Sequence, residues 1–145
     1  MSTYQLLYVS GATRPMLPAD IDAILAASRA NNARLDVTGL LLYADGTFIQ
    51  ILEGERHVVQ SLAQTIRKDQ RHRNFMVLAE LQAEARAFSD WQMGFKRLDP
   101  KLKDDQAVFE LSRQALQNRI GDADGGMMLE MVLAFAGRDF LAKAS

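Results

Sequence analysis

A tyrosine and a glutamine that strand periodicity turns inward are the residues of this chain best placed for chemistry. Tyr8 shares a face with Leu6 in an alternating run, and Gln50 stands between Phe48 and Leu52 at period two. A buried glutamine amide is costly unless both of its ends find partners, so polar groups should face it. One helical stretch supplies Ser28, Asn31 and Asn32 one and two turns after Ile24, and a second offers Ile66 with Asp69 about a turn further on. The basic run Arg67, Lys68, Arg71, His72 and Arg73 follows. Two aliphatic walls with amides at the edge describe a slot for a flat, polar-rimmed ring. Trp91 and Met93 lie two apart in a later apolar segment.

Each of these residues also has a plain structural reading. Tyr8 can be a core tyrosine and Gln50 a residue of a half-exposed edge strand. Asn31 and Asn32 suit a helix C-cap, and the basic run complements a helix dipole at its C-terminal end. By periodicity alone Ile24, Ile66, Trp91 and Met93 are ordinary core.

The elements that must position these residues follow from the same patterns. Residues 4–10 read as a strand, and Pro18 and Asp20 open a helix over 18–35 with Ile21, Ile24, Leu25, Ser28 and Asn32 on one face. Strands over 37–43 and 47–53 flank the hairpin signal Asp45-Gly46. A helix over 55–70, a strand over 75–83 and a short strand over 91–97 complete the order β-α-β-β-α-β-β. That is an α+β, ferredoxin-like arrangement: a five-stranded mixed sheet with both helices on one face.

Beyond Pro100 the pattern becomes helical over 104–119 and 127–143, with residues 121–126 as the turn between. The chain therefore divides into a domain over 1–98 and a helical pair over 99–145 packing on it. The last helix carries Met127, Met128, Met131, Val132, Phe135 and Leu141, with Leu129, Leu133 and Phe140 rotated to other sides. One stripe cannot cover them all. One side can close the bare face of the sheet, and the other is left for a second copy or a partner protein.

Composition narrows the function classes. With 17 Lys+Arg against 18 Asp+Glu in 145 residues, the net charge of -1 provides no overall basic field for nucleic acid or an anionic membrane. The absence of cysteine removes thiolate chemistry, and two histidines, His57 and His72, are too few for most metal sites. The N-terminus lacks signal-peptide features and no run of apolar residues is long enough to span a bilayer, so a cytoplasmic protein is expected. Residues 121–126 imitate half a calcium loop, but the twelfth position holds Leu133 where a bidentate glutamate is needed. GxGxxG, phosphate-loop and GxSxG patterns are missing, and Ser61 with His57 share a helix by spacing alone.

The same residues resemble the BLUF family, blue-light sensors that use FAD. The matching stretches are Tyr8-Val9-Ser10, Asn32-Ala33-Arg34 with Thr38-Gly39-Leu40-Leu41, the run from Phe48 through Gln50 to Leu52-Glu53-Gly54, Asp69-Gln70-Arg71-His72, and Trp91-Gln92-Met93-Gly94. The resemblance implies FAD between the two crossover helices, its ring between Ile24 and Ile66, with Asn32 on the C4 carbonyl and N3 and Asn31 near the other rim. Ser28, Gln50 and Asp69 complete the cofactor set. Some relatives place a phosphate-binding arginine where this chain has Thr65, which shifts that role to Arg71, His72 and Lys68. Tyr8 is the implied electron and proton donor, Gln50 the relay, and Trp91 and Met93 carry the signal onward.

The resemblance further implies a non-catalytic sensor that passes its output to a downstream protein; the uncovered apolar side of the last helix points to the C-terminal helices as the route and to a homo-oligomer. Rival readings are a flavin-dependent reductase, an acylphosphatase-type hydrolase using Arg14 with Asn31 or Asn32, and a cofactor-free interaction domain.

Overall fold

The computed structural model describes residues 3–89, 91–99, 101–117 and 122–134, with backbone alone at 122–124. In chain order the elements are β1 (Thr3–Ala12), α1 (Pro18–Leu35), β2 (Thr38–Ala44), β3 (Thr47–Gly54), α2 (Arg56–Arg67), β4 (His72–Ala83), β5 (Gly94–Arg97), α3 (Lys103–Leu116) and α4 (Asp122–Leu133). The strands form one sheet in the order β4-β1-β3-β2-β5, antiparallel except for β2 with β5. This is the ferredoxin-like arrangement with an added strand that the alternation in the sequence predicts.

Period-two alternation sorts the strands into two cores. Leu6, Tyr8, Phe48 and Leu52 point to the side where Ile21 and Leu25 of α1 and Val59 and Leu62 of α2 are buried. Leu7, Val9, Ile49 and Ile51 point the other way, onto Val108 and Ala115 of α3 and Met128, Leu129 and Val132 of α4. The second face of the sheet is thus covered by the C-terminal helices, as an apolar sheet face requires.

Several boundaries differ from the sequence reading. α2 ends at Arg67 and Asp69 falls in the following turn, where its N–H donates to Ile66 O at 3.0 Å. β4 begins earlier, at His72, because β1 continues to Ala12 and pairs with it there. β5 is confined to Gly94–Arg97, so Trp91 and Met93 precede the strand, and the bend at residues 92–93 sends them to opposite faces rather than to one.

The expected turn over 121–126 is also corrected, since residues 122–126 are the first turns of α4. Gly125 is there for approach, not for a turn: a Cβ on it would stand 2.2 Å from Leu78 O of β4. α3 stops at Leu116, short of the expected 119. Phe135, Phe140, Leu141 and the expected end of the last helix lie outside the described residues.

Candidate functional site

Tyr8 and Gln50 are directly opposed across the β1–β3 ladder, so their side chains leave the sheet together toward α1 and α2. Both are buried. The Tyr8 hydroxyl donates to Gln50 Oε1, and Gln50 Nε2 donates to Met93 Sδ at 3.2 Å. The amide therefore has a strong donor at its oxygen and only a weak thioether acceptor at its nitrogen. Phe75 stacks on the Tyr8 ring at 4.4 Å, and the His72 ring meets it edge-on at 6.3 Å. Burial, then the Asp69 charge, pushes the Tyr8 hydroxyl well above the ordinary phenol range, while Arg71 opposes them.

Three contacts fix the segment that brings Met93 to Gln50. Asn32 Nδ2 donates to Gln92 O at 2.8 Å, Arg29 Nε to Met93 O at 3.1 Å, and Gly39 N to Trp91 O at 3.0 Å. Further back, the buried Glu53 carboxylate accepts from the backbone N–H groups of Ala87 at 2.9 Å and Phe88 at 2.6 Å, and from Thr38 and Gln5 side chains. Glu53, Arg29 and Phe75 are functional neighbours that sequence reasoning missed. The Leu52-Glu53-Gly54 run was the available signal for Glu53, because a carboxylate at that phase falls among Ile49 and Ile51 on a buried face.

The turn after α2 forms its own polar cluster. Asp69 Oδ2 accepts from Arg71 Nη2 at 2.6 Å, and Asp69 Oδ1 accepts from Arg71 Nε at 3.0 Å and from Arg71 N at 2.9 Å. These bonds hold the Asp69 carboxyl down at about 2. His72 Nδ1 is 2.7 Å from Ser10 Oγ, and burial lowers the imidazole's affinity for a proton.

Not all of the expected residues converge. Trp91 is buried in the other core, its ring tilted against that of Phe88 with centroids 5.5 Å apart. Asn31 Oδ1 accepts from Arg34 Nη2 at 2.5 Å on the exposed side of α1. The cradle of an acylphosphatase-type hydrolase is not assembled: Arg14 pairs with Asp20 at 3.0 Å in the first turn of α1, and Asn31 and Asn32 lie roughly 17 Å further along that helix.

The residues present fit a flavin. Ile24 and Ile66 pack against the core between the sheet and α1 and α2 yet remain half-buried, as the walls of a ring slot would be. Asn32 spends Nδ2 on Gln92 O and keeps Oδ1 for an N–H of an imide edge. Ser28 stands half-buried on α1, one turn after Ile24.

Known proteins share both sequence and shape with this chain. The BLUF family profile, "Sensors of blue-light using FAD", matches residues 3–94. Photoactivated adenylate cyclase subunit beta of Euglena longa is 38% identical over 89 residues, covering 61% of this chain and 10% of that protein. The alpha subunit of Euglena gracilis is 40% identical over 73 residues, covering 50% and 7%. The chain thus spans about a tenth of the length of the curated relatives it matches. Among solved structures, BlsA in its photo-activated state superposes with a TM-score of 0.74 at 27% identity, covering 90% of this chain and 94% of that one. The dark state of BlrB, a BLUF protein, gives 0.69 at 28% identity over 92% and 96%. A bacterial light-regulated adenylyl cyclase gives 0.69 at 29% identity over 92% of this chain but 39% of the cyclase.

Proposed function

The chain belongs to the BLUF family of blue-light flavin sensors, and on that premise we propose that it takes FAD between α1 and α2 and uses Tyr8 and Gln50 as its photochemical pair. The observation that carries this reading is the hydrogen bond from the buried Tyr8 hydroxyl to Gln50 Oε1, with Met93 Sδ on the amide nitrogen. Ile24 and Ile66 hold the ring, Asn32 its imide edge, with Ser28, Asn31, Asp69, Arg71 and His72 around the rim and tail. When bound, the flavin supplies absorption of blue light and an excited state that attracts an electron.

The protein's part is to provide one electron and one proton from the same side chain. Burial keeps the Tyr8 phenol neutral in the dark, so its proton leaves only as the ring is oxidised. The existing bond would deliver that proton to Gln50 Oε1 while the electron passes to the bound flavin, and both would return to Tyr8 once the amide has changed, leaving no net oxidation. A glutamine amide has a donor and an acceptor end, so rotation or tautomerisation exchanges what it offers to the ring edge and to Met93. Light is stored as an altered hydrogen-bond pattern, with no covalent bond made to the cofactor. Met93 leads directly into β5, and β5 leads to α3. We assign the sensor unit to residues 1–98 and output to the helices of 99–145, through Met127 and Met131 toward a partner protein or a second copy.

The test is optical. The purified chain should be yellow, release FAD on denaturation, and show a visible band that moves to longer wavelength under blue light and returns in the dark. Tyr8→Phe should bind FAD normally and lose the shift. A full shift in that variant would overturn the donor assignment, and release of FMN alone would overturn the cofactor.

A further inference from the structure

We propose that a cleft at the end of the sheet, away from the flavin slot, binds a nucleotide-sized anion carrying two or more phosphates. The cleft has a volume of about 570 Å³ and lies between the β1–α1 connection, the β2–β3 hairpin, and the ends of β4, β5 and α3. That size suits a small organic ligand rather than a lone ion. None of the residues assigned to the flavin lines it, so the proposal stands apart from the reading above.

Its charge is what selects the ligand. Among the described residues, Arg14, Arg73, Arg97 and Arg113 line the cleft, against Asp45 as the one carboxylate. Arg14 is neutralised by Asp20 at 3.0 Å. The other three make no ion pair among the described residues. Allowing for Asp45 and for roughly half a negative charge at the C-terminal end of α3, a local excess of about +1.5 remains. In a chain of net charge -1 that excess is concentrated, not a reflection of composition.

The guanidinium groups are also placed and not simply loose. Arg97 sits over the Tyr43 ring at 5.3 Å and Arg113 over Phe109 at 5.6 Å. Arg73 lies along β1 where Gly11 leaves room, since a Cβ there would stand 3.2 Å from its Cγ and Nε. Planar donors fixed on separate elements match the oxygens of a polyphosphate, which can meet two or three forks at once. Arg97 ends β5, so an occupant would touch the strand that follows Met93.

The test uses the flavin-loaded protein in the dark, titrated with ATP and with inorganic pyrophosphate by calorimetry at low and moderate salt. Both should bind, more weakly as salt rises. The double variant Arg97→Ala/Arg113→Ala should lose at least tenfold in affinity while keeping its absorption band, which reports folding. Arg34→Ala/Arg67→Ala, outside the cleft, should stay within about twofold of the parent. The proposal is overturned by no binding at millimolar probe, by equal losses in the two double variants, by binding of pyrophosphate without ATP, or by an oligonucleotide binding more tightly than ATP. Flavin release by ATP would overturn it too, since the probe would then be occupying the flavin slot.

Discussion

The two faces of the sheet are built from neighbouring residues of the same strands and do different work. On the face toward α1 and α2, β1 and β3 contribute Tyr8 and Gln50, hydrogen-bonded to each other beneath half-buried isoleucines. One residue away in either direction, Leu7, Val9, Ile49 and Ile51 contribute only apolar surface to the face toward α3 and α4. The polar groups on that second face include Gln5 Nε2 donating to Glu53 Oε2 at 3.0 Å at one end of the strands and Lys96 Nζ meeting Asp105 Oδ2 at 2.8 Å, joining β5 to α3. One face is therefore arranged so that a hydrogen bond can change, and the other so that helices stay attached. The 91–93 segment serves both, with Met93 inserted above and Trp91 below.

That contrast can be broken from either side. The largest effect is expected at Gln50: Gln50→Leu should retain flavin but show no light-induced shift, because an apolar near-isostere has no ends to exchange. Its neighbour Ile49→Ala should do the reverse, losing about 2–5 kcal/mol in denaturant unfolding with the shift intact. If Ile49→Ala abolishes the shift in folded protein, the two faces are not functionally separate.

Next in size is the ion pair on the lower face. Lys96→Met leaves the buried Asp105 carboxylate with the Asp99 N–H at 2.8 Å but no opposite charge, and should cost about 3–5 kcal/mol. Lys96→Met/Asp105→Leu should recover most of that stability, as measured by urea midpoints. Failure of the double variant to recover would mean the pair is not acting as a unit.

A smaller change sharpens the role of the bend. Met93→Leu removes the thioether that receives Gln50 Nε2 and should alter the rate of dark recovery, whereas Trp91→Phe should leave the dark spectrum unchanged and act only on stability. Equal recovery rates in parent and Met93→Leu, followed by absorbance, would remove Met93 from the photochemical site.

The smallest expected effect is with pH. His72 in the folded chain holds a proton less tightly than its ordinary value of about 6.5. The unfolded chain therefore takes up a proton first as pH falls, and stability should decline below about pH 6.5 and level off above it. His72→Gln should flatten that dependence between about pH 5 and 7 in thermal melts. A parent protein with a level profile over that range would contradict the buried placement of His72.

What was legible in the sequence follows from distance along the chain. Tyr8, Gln50, Ile24, Ile66 and Asn32 are fixed by periods of two and 3.6, which local patterns report directly. The bend at residues 92–93 is not: two residues two apart in an apolar run look like one face of a strand until the backbone turns between them. The glycines of residues 125–126 read as a breaker because the reason for Gly125, the nearness of Leu78 O, lies 47 residues back. Glu53 reads as a strand-end carboxylate because the N–H groups it satisfies belong to Ala87 and Phe88, 34 and 35 residues on. The Asp69–Arg71 bond was missed for a nearer reason, since placing Asp69 in a helix put its side chain on the wrong surface.

β5 is bonded to the sheet along one side only, four residues in parallel register with β2. An inner strand can shift only by opening two ladders at once, whereas this one can slip with its partner's other ladder untouched. Its amides should accordingly exchange deuterium sooner than those of β1 and β3, and the lag between them is a clock for events at Gln50. Illumination that speeds exchange at Phe95 and Lys96 without touching Leu7 or Ile51 would time the departure of the signal from the cofactor slot, independently of any absorbance change.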